Sequence, residues 1–179
     1  MPAIASRASN RGRPLATLAM FIVSLGCAGL ALAQTATLPN RKDPIKGITS
    51  AGQPTAEQFS AAATEGFTTV IDLRPATDDH GMVDEKATVE KLGMRYVTLP
   101  VSGAKDISYA NAAALDKLLA EAKGPVLLHC GSGNRAGALL ALRAKLKGAD
   151  DESAVALGVA SGVTGLQPTV IERIKAGHD

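Results

Sequence analysis

Short apolar runs alternate with longer amphipathic stretches along most of the chain. The short runs are rich in β-branched residues and bounded by Gly or Pro, which predicts strands. They lie at 47–50, 68–73, 94–99 and 126–129. The longer stretches place apolar residues at helical spacing, which predicts helices at 56–65, 83–92, 108–123, 135–147, 151–160 and 168–176. Strands that alternate with helices favour an α/β sandwich: a mainly parallel central sheet of about four strands, flanked by helices.

The N-terminal segment has a different pattern. Three arginines and no acidic residue precede an apolar run at 15–32, which ends in Ala31-Leu32-Ala33. This order is typical of a secretory signal peptide over residues 1–33, cleaved after Ala33, and predicts a periplasmic or secreted protein. Two alternatives stay open: a retained membrane anchor at 15–32, and lipid attachment at Cys27.

Charge and cysteine content change once this segment is removed. It holds three of the 19 basic residues and none of the 17 acidic ones, which leaves a net charge of −1. Such a balance gives no electrostatic footprint for nucleic acid, and a membrane partner is expected only if the segment is retained. Residues 34–46 are polar and predict a linker, and 47–179 predict one domain. Cys130 becomes the only cysteine, so it cannot form an internal disulfide.

The most informative stretch is His129–Gly137, which reads HCGSGNRAG. Cys130 ends a predicted buried strand, and a helix is predicted to begin near Arg135. This places the thiol at the carboxyl edge of a parallel sheet, where α/β proteins bind ligands. Gly131 and Gly133 let successive backbone N–H groups curl inward, which makes an anion-binding nest at a helix N-terminus.

The same arrangement predicts a nucleophile. An electropositive nest and the forked Arg135 guanidinium favour the thiolate of Cys130 over the thiol, and the fork can chelate two oxygens of a tetrahedral anion. The plainer interpretation is that Cys130 is an inert buried residue and that the glycines only turn the chain.

Three further stretches, taken with this loop, resemble a known family. They are Ser50–Pro54 (SAGQP), Val70–Arg74 (VIDLR) and Tyr96–Val101 (YVTLPV), and they occur in the family's order. The chain from about 45 to 160 resembles the bacterial beta-lactamase-hydrolase-like, phosphatase-like domain, related to dual-specificity and tyrosine phosphatases. The resemblance implies a cysteine-phosphatase-like fold and a catalytic domain at 47–179.

The resemblance also implies roles for individual residues. Cys130 would be the nucleophile that forms a phosphocysteine. The substrate oxyanion would be bound by Arg135 and by the backbone of the loop, that is by Gly131, Ser132, Gly133, Asn134 and Arg135. Around these residues, we expect His129 to orient the loop and help to hold the thiolate. We expect Asp72 to be a structural carboxylate at a strand end, and Arg74 to form an ion pair with it or to line the rim of the pocket.

The loop departs from the phosphatase pattern in three ways. Four residues separate Cys130 from Arg135, where phosphatases have five, and Ala136 stands where a Ser or Thr usually follows the arginine. The expected general-acid position lacks an Asp, and the nearest candidate is Asp106, which would act as a tentative acid or as a residue that caps the helix after Ser108.

These departures leave three hypotheses. The first is a cysteine-dependent phosphatase-like hydrolase, with a small anionic or phosphorylated substrate. The second is a rhodanese-type sulfurtransferase, because its loop also has four residues between Cys and Arg; it would form a persulfide on Cys130 and use a sulfur donor and a thiol acceptor. The third is a non-catalytic anion-binding module. No cofactor and no metal are expected, because His80 and His178 lack partners at ligand spacing.

Overall fold

A computed structural model describes residues 2–3 and 36–177. Five strands lie at β1 Lys42–Ile45, β2 Ile48–Ala51, β3 Thr69–Asp72, β4 Arg95–Thr98 and β5 Val126–His129. Six helices lie at α1 Ala56–Thr64, α2 Glu85–Lys91, α3 Tyr109–Glu121, α4 Asn134–Leu146, α5 Asp151–Ala160 and α6 Gln167–Ala176. One turn of 3-10 helix, Ala104–Asp106, precedes α3.

The strands form one sheet in the order β1-β2-β5-β3-β4. β2, β5, β3 and β4 are parallel, and β1 is antiparallel to β2. The predicted α/β sandwich with a mainly parallel sheet is therefore confirmed. The fifth strand is a correction, because residues 42–45 were expected to lie in the 34–46 linker. A linker pattern and a polar edge strand look alike in sequence, since an edge strand is only partly buried.

Helices cover both faces of the sheet. Side chains alternate along β5, so that Leu127 packs with Phe59 of α1 and Val89 of α2, whereas Leu128 packs with Leu115 of α3 and with α4. All four residues of β5 are buried, as expected for a strand enclosed between two helical layers.

Local sequence signals decide where several helices begin. α1 starts with a capping box, in which Thr55 accepts from the Gln58 backbone and the Gln58 side chain accepts from the Thr55 N–H. Ser108 caps α3 and Asp150 caps α5 through their side chains. These caps satisfy N–H groups that would otherwise lack partners in the first turn.

α4 and α5 approach each other closely at two glycines. A Cβ added to Gly137 would lie 2.3 Å from the backbone nitrogen of Val163 and 2.7 Å from the carbonyl oxygen of Gly158. A Cβ on Gly158 would lie 2.7 Å from that of Ala141. The close contact lets α4 pack deep in the core, with residues 136–142 all buried.

The predicted signal peptide, the alternative anchor at 15–32 and Cys27 lie outside the described residues. Within residues 2–3 and 36–177, no helix is both long enough and apolar enough to cross a membrane.

Candidate active site

Four loops meet at the carboxyl edge of the parallel strands. Because parallel strands end on the same side, the segments that follow β2, β3, β4 and β5 all emerge there. These segments begin at Gly52, Leu73, Leu99 and Cys130. The strand order places β5 between β2 and β3, so the segments that follow β2 and β3 border the segment after β5.

Cys130 lies at the centre of this edge and is 1% exposed. Its Sγ accepts a hydrogen bond from the backbone N–H of Gly133, at 3.1 Å. Gly133 is the N-terminal cap of the 13-residue helix α4 and has a φ of 90°. That left-handed conformation favours glycine, and it turns the N–H back toward the sulfur. A helix N-terminus and a donated hydrogen bond both stabilise negative charge on sulfur.

Contacts on the outer side of the loop hold its shape. The carbonyl of Gly131 accepts from the Gln53 N–H at 3.1 Å, and Ser132 forms a β-bridge with Gly52. The carbonyl of Ser132 accepts from the Asn40 side chain at 3.1 Å. The SAGQP stretch therefore packs against the outer side of the loop and supports it. The two stretches are far apart in sequence, so the sequence alone does not show this contact.

We call the loop of residues 130–135 the cradle. Arg135 lies in the first turn of α4, and its side chain reaches across this loop. Its Nη1 donates to the carbonyl of Val101 at 2.9 Å, and its Nη2 donates to Oδ2 of Asp78 at 2.7 Å. Burial alone would lower the pKa of Arg135, but the Asp78 carboxylate and the neighbouring Cys130 sulfur raise it above its usual value. The guanidinium therefore stays charged beside the thiol.

Asp78 is the residue that sequence reasoning missed. It lies in the polar loop after β3 and is 57 positions from its partner Arg135. The only signal is the acidic pair Asp78-Asp79, which begins four positions after Arg74 at the end of the VIDLR stretch. Acidic residues are common in exposed loops, so this signal alone did not distinguish Asp78 from Asp79.

The Asn134 side chain, next to Arg135, faces away from the cradle. The Asn134 side chain accepts from the backbone N–H groups of Thr164 and Leu166, at 2.8 and 3.2 Å. The prediction that the backbone of residues 131–135 binds an anion does not depend on this side chain. Ala136 is fully buried and brings no hydroxyl to the site.

Asp106, the tentative general acid, has a local partner. Its Oδ2 accepts from the backbone N–H of Ser102 at 2.7 Å, and this hydrogen bond lowers the pKa of Asp106. Within the described part of the chain, no hydrogen bond or ion pair joins Asp106 to Cys130 or Arg135. Its role as a proton donor stays a prediction.

Asp72 and Arg74 belong to a buried polar cluster behind the loops. Arg74 holds both oxygens of Asp72, each at 2.9 Å, and also bonds Glu85 at the start of α2. The Tyr96 hydroxyl donates to Asp72 at 2.9 Å. Burial would raise the pKa of Asp72, but Arg74 holds it below its usual value, whereas burial beside Asp72 raises the pKa of Tyr96.

His129 lies on the opposite face of the sheet from Cys130. Its ring meets Phe59 edge to face at 5.8 Å, and its Nε2 lies 3.0 Å from Oε1 of Glu85 without the alignment of a hydrogen bond. This corrects the expectation that His129 helps to hold the thiolate. Successive strand residues point to opposite faces, so neighbours in sequence are separated by the sheet.

Asp72, Glu85 and His129 offer ligand atoms within 4.8 Å of one another, a spacing that suits a metal ion. The Arg74 guanidinium bonds both carboxylates, however, and so already supplies the cluster with a cation. These contacts favour an ion-pair cluster over a metal site.

Comparisons with known proteins agree with this architecture. The family described as "Beta-lactamase hydrolase-like protein, phosphatase-like domain" matches residues 45–147. The beta-lactamase hydrolase-like protein of Agrobacterium fabrum is 38% identical over 104 residues, which is 56% of this chain and 24% of that protein. The chain thus spans about a quarter of the length of the curated relatives it matches.

Solved structures share the fold at low identity. The Neisseria meningitidis protein nma1982 has a TM-score of 0.64 and 21% identity, over 74% of this chain and 96% of that one. P. aeruginosa TpbA, solved in complex with pTyr, has a TM-score of 0.59 and 21% identity, over 77% and 84%.

The family match over residues 45–147 includes the strand, loop and helix around Cys130. It also includes the three stretches that carry the resemblance. The chain belongs to the beta-lactamase hydrolase-like protein, phosphatase-like domain family.

Proposed function

We propose that this protein is a cysteine-dependent phosphatase that hydrolyses small phosphorylated substrates through a covalent phosphocysteine. The observation that carries the proposal is the Gly133 N–H bonded to Cys130 Sγ at the N-terminus of α4, with Arg135 in the first turn of the same helix. A backbone donor and a guanidinium thus lie beside a buried sulfur, a setting suited to nucleophilic attack on a phosphoester.

The proposed reaction has two steps. The Cys130 thiolate attacks phosphorus, a sulfur–phosphorus bond forms, and the bond to the ester oxygen breaks. That oxygen leaves with the bonding electrons and takes a proton, for which Asp106 is the proposed donor. Water then attacks the phosphocysteine, inorganic phosphate leaves, and the electron pair returns to sulfur.

The test is hydrolysis of an aryl phosphate and of phosphotyrosine by the purified protein. We expect phosphate release from the unaltered protein and a fall to the uncatalysed rate in Cys130→Ser, because an alcohol does not replace the thiolate. Ser60→Ala, on the exposed side of α1, serves as a control and should keep full activity. Phosphate release that persists in Cys130→Ser would contradict the proposal.

A second candidate is a sulfurtransferase, favoured by the short loop and by Ala136. Here the Cys130 thiolate attacks the outer sulfur of thiosulfate, the sulfur–sulfur bond breaks, and sulfite leaves with the electron pair. A thiolate or cyanide acceptor then takes the outer sulfur from the Cys130 persulfide. No proton donor for a leaving alcohol is needed, which agrees with the local partner of Asp106.

The same protein preparation separates the two candidates. After incubation with thiosulfate, a sulfurtransferase should carry one extra sulfur atom on Cys130, detected by mass spectrometry of the intact protein, and should produce thiocyanate from cyanide. A phosphatase should show neither. The non-catalytic alternative would show no turnover with either substrate and would bind anions equally well as Cys130→Ser.

A further inference from the structure

Arg135 already binds an anionic group, and this group is a carboxylate of the protein itself. Asp78 Oδ2 lies 2.7 Å from Arg135 Nη2, while Val101 takes Nη1. One N–H of each terminal nitrogen is therefore already bonded to an acceptor of the protein. A tetrahedral oxyanion that binds these same N–H groups competes with one of the two acceptors.

The loop that carries Asp78 is organised rather than loose. The Asp78 N–H donates to the Pro75 carbonyl at 3.0 Å, and the Gly81 N–H donates to Asp79 at 2.8 Å. At its far end, buried Arg74 reaches the His80 carbonyl at 3.4 Å. The buried cluster thus anchors the loop and sets where the Asp78 carboxylate lies.

Asp78 can leave Arg135 more easily than Val101 can. Val101 is a buried residue whose N–H is bonded to the Leu73 carbonyl, so its carbonyl is held by the core. The Asp78 side chain is 32% exposed, so water can replace Arg135 as its partner once it is displaced. The exchangeable ligand of Arg135 is therefore the carboxylate.

We propose that Asp78 is a built-in competitor for the oxyanion on Arg135, and so sets the affinity and charge selectivity of the site. This rests on the proposed function only in taking the cradle as an oxyanion site. A substrate dianion must displace the Asp78 carboxylate from Arg135. The negative charge of Asp78 then stays at the rim of the site. Monoanions and weakly charged substrates are penalised less than dianions, because repulsion grows with the charge of the ligand.

The test uses two matched variants of the same loop. Asp78→Asn and Asp79→Asn each remove one negative charge from neighbouring positions, but only Asp78 contacts Arg135. Tungstate, a tetrahedral dianion that needs no turnover, is titrated by calorimetry into each variant and into the unaltered protein. We expect Asp78→Asn to bind it at least about fivefold more tightly, the lower end of usual couplings between ligands. Asp79→Asn should stay near the unaltered value.

Two results would overturn the proposal. Equal tightening in both variants would show a long-range charge effect, and unchanged affinity in Asp78→Asn would show no competition. If affinity is unchanged and hydrolysis of alkyl phosphates falls while that of aryl phosphates persists, Asp78 is the proton donor instead. Asp78→Ser repeats the test if Asp78→Asn does not fold.

The inference and the proposed function fail separately. Tighter tungstate binding in Asp78→Asn supports the competitor even if the protein hydrolyses no phosphoester. Hydrolysis that depends on Cys130, together with unchanged tungstate affinity, would keep the phosphatase and reject the competitor.

Discussion

Arg135 places a positive charge beside Cys130 and also presents two donor nitrogens in a fixed geometry, which a point charge does not do. Its fork spans from the Val101 carbonyl on one side to the Asp78 carboxylate on the other, while the guanidinium lies beside Cys130. A guanidinium offers two parallel donors to an oxyanion, whereas an ammonium is a point charge. The geometry of the fork, rather than its charge alone, is what we expect the chemistry to use.

Replacement of Arg135 by Lys tests this at the residue scale. We expect kcat/KM for an aryl phosphate to fall about 100-fold, the usual loss when a preorganised donor to the transition state is removed. Arg95→Lys is the control, because Arg95 forms an exposed ion pair with Glu121 at 3.2 Å and should change little. Full activity in Arg135→Lys would mean that charge alone is sufficient.

Helix α4 is the element on which the site depends. Its first residues shape the cradle, and its buried middle is held against α5 by the glycine contact at Gly137 and Gly158. The Val163 N–H donates to the Gly158 carbonyl at 2.9 Å directly beside Gly137. A side chain at Gly137 would therefore clash with both atoms of this hydrogen bond and push α4 away from the end of α5.

We expect Gly137→Ala to lower the free energy of unfolding by about 2–3 kcal/mol, as overpacking of a core does. Gly165→Ala is the matched control, since its Cβ would lie 3.8 Å from the nearest atom, the Asn134 Nδ2. That variant should stay within about 0.5 kcal/mol of the unaltered protein. Urea denaturation measures both, and equal stability of the two variants would contradict the packing argument.

The buried cluster ties several elements of the whole molecule together. Asp72 ends β3, Tyr96 lies in β4, His129 ends β5 and Glu85 begins α2, and Arg74 holds the two carboxylates. Buried charges of this kind are costly to leave unpaired. The cluster should therefore make the stability of the whole domain depend on pH.

The direction follows from Asp72. Burial alone would raise its pKa, but Arg74 lowers it in the folded protein, below the value of about 3.9 in unfolded chains. A depressed carboxyl pKa contributes stability above the unfolded value, and this is lost as pH falls through the folded value. We expect the free energy of unfolding to fall from about pH 4 downward, measured by urea denaturation across pH.

Asp72→Asn should lose about 3–5 kcal/mol at pH 7, because it leaves buried Arg74 short of a partner. Its stability should also depend less on pH below about 4 than that of the unaltered protein. Asp116→Asn, which removes a partly exposed partner of Arg143 and Lys147, should cost at most about 1 kcal/mol. If the loss of stability at low pH is unchanged in Asp72→Asn, other carboxyl groups cause it.

Most of the architecture followed from local patterns. The four parallel strands and the six helices were predicted because periodicity depends on residues a few positions apart. The strand, loop and helix around Cys130 followed for the same reason. The edge strand at 42–45 did not, because its pairing with β2 depends on a partner and not on its own pattern.

Local sequence patterns are enough to predict that a cysteine follows a buried strand, that a glycine-rich turn comes next, and that an arginine lies in the first turn of the following helix. The residues that surround this unit depend on the tertiary fold. It brought Asp78 to Arg135 across 57 positions, turned Asn134 toward Thr164, and separated His129 from Cys130 by the sheet. Side-chain partners across a sheet edge depend on strand order and on the path of the loops, and a local sequence pattern contains no information about either.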